Sequence, residues 1–443
     1  MLHVPFCFAP DPHGGTEVYV EALAREQNRL GIATTIAASG KKATRYTHRA
    51  INVFRYPISQ SLALEALYGE GDPVAAAGFG NILDEVSPDI VHLHAFTSGV
   101  SLLTAQEAKK RNIPVVFTYH TPTVSCPRGT LLEMGATVCD GRVEEKRCTR
   151  CVLEGRGLSD TMSGILAAIP PGVGAGLGAL KLQGGPWTAL RMSELIARRN
   201  SAFGKMMETV DHLVAVCDWV REVLIGNGVP EHKVTVSRQG LAQEPVIAAS
   251  AQERPTSGGV RLVYLGRIDV TKGIEVLIRA LVGVPHAPIL LDVFGIAQGN
   301  SGELLLKSLR NLSRSDQRIR FHEPVAPDEI VGLLQNYDAL VVPSQCLETG
   351  PLVVYEAFGA GIPVVGSNLG GIAELVTHER DGLLVEHSSV NDWSKALRRL
   401  VDEPSLLPKL RNGIRTPRMM ATVAEEMKAM YERVLAPTDA ALF

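Results

Sequence analysis

The chain alternates apolar runs of strand length with helix-like segments, and it does so on both sides of a polar linker. The first half contains the runs IATTIAA, PDIVHLHAF, IPVVFTYH and HLVAVCDWV. The second half contains VRLVYLG, PILLDVFG, ALVVPS and IPVVGS, interleaved with the helix-like KGIEVLIRALVG and PLVVYEAFGAG. Continuous apolar strands joined by helices are typical of parallel sheets covered on both faces. We therefore predict an α/β protein made of two doubly wound, Rossmann-like domains.

The linker is predicted over residues 241–257, which are polar and rich in Pro, Ser and Gly. It separates a first domain over 1–240 from a second over 258–417, and the amphipathic C-terminal helix in 418–443 is expected to pack back on the first domain. Ligands of open parallel sheets bind at the carboxyl ends of the strands. Two such domains facing each other would form a central cleft, and we expect the chemistry there.

Composition excludes two classes of protein. Of the 443 residues, 45% are apolar and 21% are charged, which excludes a wholly disordered chain. The net charge is 44 − 47 = −3, so no nucleic-acid partner is expected. The N-terminal residues lack a basic flank followed by a long apolar core, and we therefore expect no secretory signal and a cytoplasmic location.

Residues 161–180 form an uncharged run that is long enough to cross a bilayer. The run contains two adjacent prolines and five glycines, which break an unsupported helix. It predicts a flexible apolar loop or short broken helices, not a membrane span. Exposed apolar patches commonly meet a partner or a membrane. Because Arg191, Arg198 and Arg199 follow the run, we expect peripheral contact with the inner membrane face; the alternative is a loop folded over the protein's own core.

The pattern Glu348-x7-Glu356 is the strongest signal in the second half. A predicted strand ends just before it, and Gly350-Pro351 open a helix, so Glu348 is expected in a loop and Glu356 in the helix. Eight residues of helix span roughly 12 Å, about the reach between hydroxyls at the two ends of a sugar–diphosphate–ribose. The N–H groups of a helix start bind pyrophosphate well. The helix start adds to the candidate site the residues Gly350, Pro351, Leu352 and Val353. A surface carboxylate pair is the alternative.

Two further candidates stand beside predicted strands. Arg267 and Lys272 follow the strand VRLVYLG, and Arg binds phosphate through a fork whereas Lys binds it as a point charge. Gly14-Gly15 precede the first helix, where the absence of a side chain lets a ligand approach the backbone. Solvated surface cations and a plain tight turn are the alternatives for these two features.

Histidines close two strands of the first half. His94 ends VHLHAF, and His120 ends VFTYH. His92 points to the same side of its strand as His94, because side chains alternate along a strand. We favour His94 as the functional residue because it lies nearer the carboxyl end, and a structural histidine is the alternative.

Taken in order, the segments GGTE, HLHAF, LGRIDVTKG, PSQCLETGPLVVYEAFGAGIPV and GSNLGGIAELV resemble family 4 of the retaining glycosyltransferases. The resemblance covers most of the chain apart from about 130–200. It implies the two-domain GT-B fold and a hexosyltransferase-type enzyme. Such an enzyme moves a sugar from a nucleotide-sugar donor to a sugar or lipid-linked sugar acceptor, here in cell-surface polysaccharide or glycoconjugate synthesis. It also implies catalysis without a metal cofactor, since fixed cations and a helix dipole stabilise the leaving group.

The resemblance also implies roles for individual residues. Glu348 would hold donor-sugar hydroxyls, Glu356 the ribose, and Arg267 with Lys272 the diphosphate. The nucleotide base would be read by the backbone near Gly295 and the segment 322–324. The implied catalytic residues are His94, Arg267, Lys272 and Glu348, and the implied donor-binding residues further include Gly14, Gly15, Gly295, Glu323 and Glu356.

The chain departs from the family pattern at two places. Thr349 follows the first glutamate where many relatives have Phe, which predicts a changed sugar pocket. The segment 237–241 replaces a familiar Pro-Asn-Gly-Val, which leaves the acceptor side less defined. Two other functions stay open. One is a nucleotide-sugar 2-epimerase, although the Glu-x7-Glu helix start is not the usual pattern of that enzyme. The other is a non-catalytic nucleotide-sugar-binding protein, although the intact glutamates and cations argue against it.

Four of the seven cysteines cluster within an insertion at about 126–151. They are Cys126, Cys139, Cys148 and Cys151. Four thiolates are the ligand set of a closed structural zinc site, so we predict a structural zinc, with an iron–sulfur cluster as the second choice and free thiols as the alternative. Without an export signal, disulfides are not expected.

Overall fold

The computed structural model of the protein describes residues 1–11, 14–181, 184–245 and 259–436. The chain divides into two compact units, Met1–Arg238 with the chain from Ala421 onward, and Gln239–Met420. The C-terminal helix therefore belongs to the first unit. Most of the predicted linker, residues 246–257, lies outside the described part of the chain, as do residues 437–443.

The first unit contains an eight-stranded sheet and a separate hairpin. Neighbouring strands of the sheet follow the order β10-β9-β6-β5-β1-β2-β4-β3, and every pair is parallel except β3 with β4. The strands of the sheet are β1 (Leu2–Val4), β2 (Thr35–Gly40), β3 (Thr44–His48), β4 (Ile51–Pro57), β5 (Val91–Leu93), β6 (Val115–Tyr119), β9 (His212–Ala215) and β10 (Val234–Val236). The hairpin consists of β7 (Leu132–Glu133) and β8 (Thr137–Val138).

Helices follow most strands of the first unit. They are α1 (Gly15–Arg29), α2 (Leu64–Leu67), α3 (Pro73–Val86), α4 (Leu102–Lys110), α5 (Glu145–Gly155), α6 (Asp160–Ala167), α7 (Pro171–Ala179), α8 (Gly185–Leu190), α9 (Met192–Thr209), α10 (Asp218–Gly226) and the C-terminal α18 (Met420–Leu435). The strand β1 pairs with β5 in a register that sets His3 beside His92.

The second unit is a six-stranded parallel sheet in the order β13-β12-β11-β14-β15-β16. Its strands are β11 (Val260–Ile268), β12 (Ile289–Ala297), β13 (Ile319–His322), β14 (Ala339–Val342), β15 (Val364–Ser367) and β16 (Gly382–Val385). Its helices are α11 (Ile274–Val282), α12 (Gly299–Leu312), α13 (Ile330–Leu334), α14 (Leu352–Gly359), α15 (Gly370–Leu375), α16 (Val390–Asp402) and α17 (Leu406–Asn412).

Both faces of this second sheet are covered, which explains its uninterrupted apolar strands. Leu262 and Tyr264 of β11 pack into one apolar cluster, whereas Val263 between them packs into another. The same alternation sends Val364 and Val365 of β15 to opposite clusters. Because side chains alternate along a strand, every position must be apolar when both faces are buried. The predicted parallel α/β architecture is what the structure contains.

The uncharged run 161–180 forms two short helices, α6 and α7, with an 85° bend between them. Short broken helices were one of the two predicted forms. Within the described residues no single helix has the length and apolar character to cross a bilayer, although the bent pair α6–α7 meets the length and composition criteria together.

Candidate functional site

The carboxyl edge of the second sheet is built from two loops that fasten to each other. The loop after β11 contains a single 3₁₀ turn, Val270–Lys272, capped by the Asp269 side chain, which accepts from the Thr271 N–H at 2.9 Å. Gly273 follows with φ +67°, and a Cβ atom there would overlap the Pro343 carbonyl oxygen. The loop after β14 returns a hydrogen bond from the Gln345 N–H to the Thr271 carbonyl at 2.6 Å. Only glycine allows this close approach at residue 273.

The fastened loops bring Lys272 and Glu348 together. Lys272 Nζ lies 2.6 Å from Glu348 Oε1, and the Ser344 hydroxyl donates to the same oxygen at 2.8 Å. Burial by itself lowers the pKa of Lys272, but the Glu348 charge outweighs it and the pKa is raised. Burial likewise raises the pKa of Glu348, and Lys272, Ser344 and Arg267 outweigh it, so this pKa is lowered. Both groups therefore stay charged although they are half-buried.

Arg267 completes a cationic edge at the end of β11. Its side chain is exposed, and its carbonyl accepts from the Tyr264 hydroxyl at 2.7 Å. The Arg267 charge acts on both Lys272 and Glu348. The structure thus groups Arg267, Lys272 and Glu348 at one edge, as the two separate motifs predict. The roles of Gly273 and Ser344 were not identified from the sequence, because they depend on which loops become neighbours.

Glu356 lies in α14 and is buried. Burial raises the pKa of its carboxyl to about 7. Its Oε2 atom is buried without a hydrogen-bond partner in the part of the chain that the structure describes. Since buried polar atoms are nearly always paired, this oxygen marks a position where a ligand hydroxyl would be bound.

The helix start beside Glu356 differs from the prediction by one residue. Pro351 is the N-cap rather than the first helical residue, and α14 begins at Leu352, followed by Val353. Gly350 has φ +103°, a conformation that favours glycine. The Gly371 N–H donates to the Glu348 carbonyl at 2.6 Å, which ties this loop to α15.

The residues predicted to read a base lie on the neighbouring strands β12 and β13. His322 Nε2 is 2.7 Å from Asp292 Oδ1, and its ring stacks on Phe294 with centroids 4.6 Å apart. Glu323 is exposed in the loop that follows. A Cβ atom on Gly295 would overlap the Ile268 side chain, so packing within the sheet already requires glycine there.

In the first unit, Gly14 is the N-cap of α1 and Gly15 its first residue. The Gly14 N–H donates to Glu17 Oε2 at 2.8 Å. Pro12 and His13 of the same motif lie outside the described residues.

The histidines of the first unit form a buried hydrogen-bonded chain. His94 Nε2 is 2.9 Å from His3 Nδ1, and His94 Nδ1 is 3.0 Å from His120 Nε2. His3 Nε2 is 2.7 Å from Gln27 Oε1, and the Gln27 amide N–H donates to the Tyr431 hydroxyl. The direction of these bonds follows from Gln27, because its carbonyl oxygen can only accept. Each of His3, His94 and His120 then carries its proton on Nε2.

These rings are held neutral. Burial lowers the pKa of His3 to about 4 and that of His120 to about 3, and burial with neighbouring histidines takes the pKa of His94 well below its usual value. His92 donates or accepts at both nitrogens, with Tyr431 at 2.6 Å and Thr118 at 2.6 Å. Sequence periodicity could not separate His92 from His94, but the structure distinguishes them by their partners.

The nitrogens of His3, His92 and His94 lie within 4.8 Å of one another, the one such group of metal-binding side chains among the described residues. Both nitrogens of each ring are already engaged in hydrogen bonds. No lone pair therefore remains for a cation, and the cluster is a hydrogen-bond network.

The four clustered cysteines line one pocket in the first unit, together with Arg128 and Arg147. All four are half-buried free thiols. The Gly141 N–H donates to Cys139 Sγ at 3.4 Å, and the Met134 N–H donates to Cys151 Sγ at 3.4 Å.

Two family models match the chain. The model described as "Glycosyl transferase 4-like domain" matches residues 14–240, and "Glycosyl transferases group 1" matches residues 248–416. The chain is also 32% identical over 159 residues to a D-inositol 3-phosphate glycosyltransferase of Arthrobacter sp. (strain FB24), which is 35% of this chain and 37% of the relative. The match therefore spans little more than a third of that curated relative.

Solved structures match over the whole chain. Sucrose-phosphate synthase from Thermosynechococcus elongatus aligns with a TM-score of 0.67 and 18% identity over 99% of both chains. The Anabaena protein HepE in complex with UDP-glucose aligns with a TM-score of 0.63 and 15% identity, over 98% of this chain and 99% of that one. At such identities the likeness shows the fold alone, which is GT-B. Together with the family models it establishes that this chain belongs to the group 1 glycosyltransferases.

Proposed function

We propose that the protein is a retaining glycosyltransferase that moves a hexose from a nucleotide-sugar donor to a sugar or lipid-linked sugar acceptor. The observation that carries the proposal is the set of polar groups in the second unit: an exposed Arg267 that acts on a charged Lys272, and a buried Glu356 oxygen in α14 without a hydrogen-bond partner among the described residues. An anionic diphosphate and a ribose hydroxyl are the groups that this set of side chains would bind.

The Lys272–Glu348 ion pair would prepare both side chains for binding the donor. Its 2.6 Å contact holds the ammonium group in place before any ligand arrives. A fixed cation stabilises the charge that develops on a leaving diphosphate without reorganising during the reaction. Glu348, kept ionised by the same pair, would accept hydrogen bonds from hydroxyls of the donor sugar. Since Arg267 and Lys272 supply two cations, we propose that turnover needs no divalent metal.

The donor base and the acceptor are chosen by analogy. HepE was crystallised in complex with UDP-glucose, so UDP-glucose is the first donor to test. The names of the relatives specify different acceptors, and we propose an acceptor for cell-surface polysaccharide or glycoconjugate synthesis, used by a cytoplasmic enzyme at the inner membrane face.

A surface of the first unit supports the membrane part of this proposal. Ile165 of α6 is 60% exposed, Val173 of α7 is 53% exposed and Leu180 just after α7 is 64% exposed. Trp187 of α8, the next helix along the chain, is also exposed, and Trp is enriched where proteins meet the bilayer interface. We call this surface the apolar platform. Three of its four side chains lie in the uncharged run 161–180, which a lipid surface would accommodate.

The predicted contribution of Arg191 to lipid binding is wrong. Arg191 is buried and donates to Glu65 and Glu194. Arg199 donates to the Thr123 carbonyl and lies over the Phe96 ring. Membrane contact would therefore rest on the apolar side chains more than on these cations.

Transfer itself is the test of the proposed reaction. Purified protein incubated with UDP-glucose and a lipid-linked acceptor fraction should give a glycosylated product that retains the anomeric configuration, read by NMR. Added EDTA should leave the initial rate unchanged. Conversion of the donor without acceptor would indicate the epimerase, and binding without either reaction would indicate a non-catalytic protein.

Vesicle flotation tests the membrane part. The variant Ile165→Glu/Leu180→Glu should no longer float with anionic vesicles, because it places charge on the apolar platform. The matched control is Leu304→Glu, which changes an equally exposed leucine, 69% exposed, in the second unit. If the wild-type protein never floats, the acceptor is soluble.

A further inference from the structure

We propose that the cysteine insertion is a metal-binding module: Cys126, Cys139, Cys148 and Cys151 hold one zinc ion as four thiolates, and the ion fastens the segment that follows β6. This inference is independent of the proposed reaction, because all four side chains lie in the first unit and none belongs to the cationic edge of the second.

The four thiols come from three separate pieces of chain and line one pocket. Cys126 follows the 3₁₀ turn Pro122–Val124, and Cys139 directly follows β8. Cys148 and Cys151 are both in α5, three residues apart, so they lie on one face of that helix. A helical pair joined by two loop cysteines from different segments provides the four ligands that a closed, tetrahedral zinc site requires.

Hydrogen-bond donors surround the sulfur atoms. The N–H groups of Gly141 and Met134 donate to Cys139 Sγ and Cys151 Sγ, each at 3.4 Å. The guanidinium of Arg128 is 3.5 Å from Cys151 Sγ, and that of Arg147 is 3.7 Å from Cys139 Sγ. A zinc ion with four thiolates carries a net charge of −2, and backbone and guanidinium donors of this kind offset it.

The sulfur atoms must move closer to bind. No three of the four lie within 4.8 Å of one another, whereas bonds of about 2.3 Å in a tetrahedron place them roughly 3.8 Å apart. The piece that carries Cys139 can move, because its regular structure is limited to β7 and β8, two residues each. Rotation of the cysteine side chains with a small shift of this hairpin closes the gap.

Hydrogen bonds around the pocket show which segments of the chain the ion would hold together. Asn227, which ends α10, accepts from the Val143 N–H at 2.8 Å and donates to the Gly141 carbonyl at 2.9 Å. This one side chain connects the end of the hairpin segment to the sheet-covering helices. Four metal–sulfur bonds would connect the same segment to α5 and to the loop after β6, which two-residue strands alone cannot hold.

Metal content and spectroscopy on the intact chain test the proposal. Protein purified without chelator should contain about one zinc per chain, and replacement by Co²⁺ should give the thiolate charge-transfer and tetrahedral d–d absorption of a Co–thiolate centre. Cys148→Ser/Cys151→Ser should lose the metal, whereas Cys217→Ala, which removes a buried cysteine outside the pocket, should keep it.

Limited proteolysis should show cleavage within 126–144 only after zinc is removed. Nucleotide-sugar binding, measured on the same samples, should stay unchanged, which separates this inference from the proposed reaction. Wild-type protein without zinc, an iron and sulfide content in its place, or undiminished zinc in Cys148→Ser/Cys151→Ser would each overturn it.

Discussion

The two units share one kind of fold, but the polar clusters at their predicted sites differ in charge. In the second unit, Lys272 and Glu348 are half-buried and charged, each stabilised by the other. In the first unit, four histidines are buried and neutral, each satisfied by a neutral partner. The histidine chain of the first unit is neutral, whereas the edge of the second unit contains the Lys272–Glu348 ion pair. We propose that the charged edge of the second unit binds an anion, whereas the neutral histidines of the first unit form hydrogen bonds of defined direction.

Removing the positive charge of Lys272 should have the largest effect, which is a loss of turnover. Lys272→Met takes away a cation facing the leaving group, and turnover should fall about 10²–10³-fold, the cost of losing one preorganised electrostatic contact. The single variant also leaves Glu348 half-buried without its partner, which lowers stability. Lys272→Met/Glu348→Gln should recover the melting temperature but not the rate. Recovery of both would show that Lys272 acts only through folding.

The contact between the loops after β11 and β14 is the next feature to disrupt. Gly273→Ala places a side chain at φ +67° against the Pro343 carbonyl and should lower the free energy of unfolding by about 1–3 kcal/mol. The control is Gly332→Ala, an exposed glycine in α13 with open space around it. Chemical denaturation compares the two. Equal stability of both variants would mean that the loops are not fastened as described.

Acid should destabilise the first unit through its neutral histidines. Their pKa values are lowered below the usual 6.5, so the unfolded chain binds protons that the folded chain does not. The neutral rings therefore contribute their full stabilisation of the folded state above pH 6.5. As the pH falls toward 4, the free energy of unfolding decreases by up to about 1.4 kcal/mol per pH unit for each ring.

A substitution within the chain of rings should reduce this pH dependence. His3→Gln removes one titrating ring and should flatten the stability–pH profile between these values, whereas His286→Gln, at an exposed histidine, should leave it unchanged. A wild-type profile that is flat from pH 7.5 to 4.5 would contradict the assignment of neutral rings.

The smallest expected effect is the pH dependence that Glu356 gives to nucleotide-sugar affinity. Burial raises the pKa of its carboxyl to about 7, and ribose hydroxyls would donate to the ionised form. Affinity for a nucleotide sugar should therefore rise between about pH 5 and 7, by at most about tenfold per pH unit, and level off above. Glu356→Gln should bind more weakly at pH 8 and show no such rise. Calorimetry in two buffers would detect the released proton directly.

The sequence predicts the architecture well because local patterns determine it. The run Ala339–Val342 is apolar at every position, which a strand buried on both faces requires, and it forms β14. The grouping of Arg267, Lys272 and Glu348 at one edge was also predicted, since Arg267 lies at the end of β11 and the other two lie in loops that follow β11 and β14.

The side-chain partners in the candidate sites could not be predicted, because they depend on which segments of the chain become neighbours. The pairing of Lys272 with Glu348 joins residues 76 positions apart, and nothing in either motif specifies it. The same holds for His3, which becomes a partner of His94 because β1 lies beside β5, and for Gln27, which becomes the other partner of His3. The expected contribution of Arg191 to membrane contact was wrong, because Arg191 is buried in ion pairs with Glu194, three residues along the chain, and with Glu65 of α2.

Equilibrium binding of UDP-, ADP- and GDP-linked glucose to three proteins tests the central claim, that the charged edge of the second unit is the donor site. We predict that the wild-type chain binds one of these nucleotide sugars at one per chain, that His3→Gln binds it with the same affinity, and that Lys272→Met/Glu348→Gln does not bind it. Undiminished binding by Lys272→Met/Glu348→Gln would contradict the account.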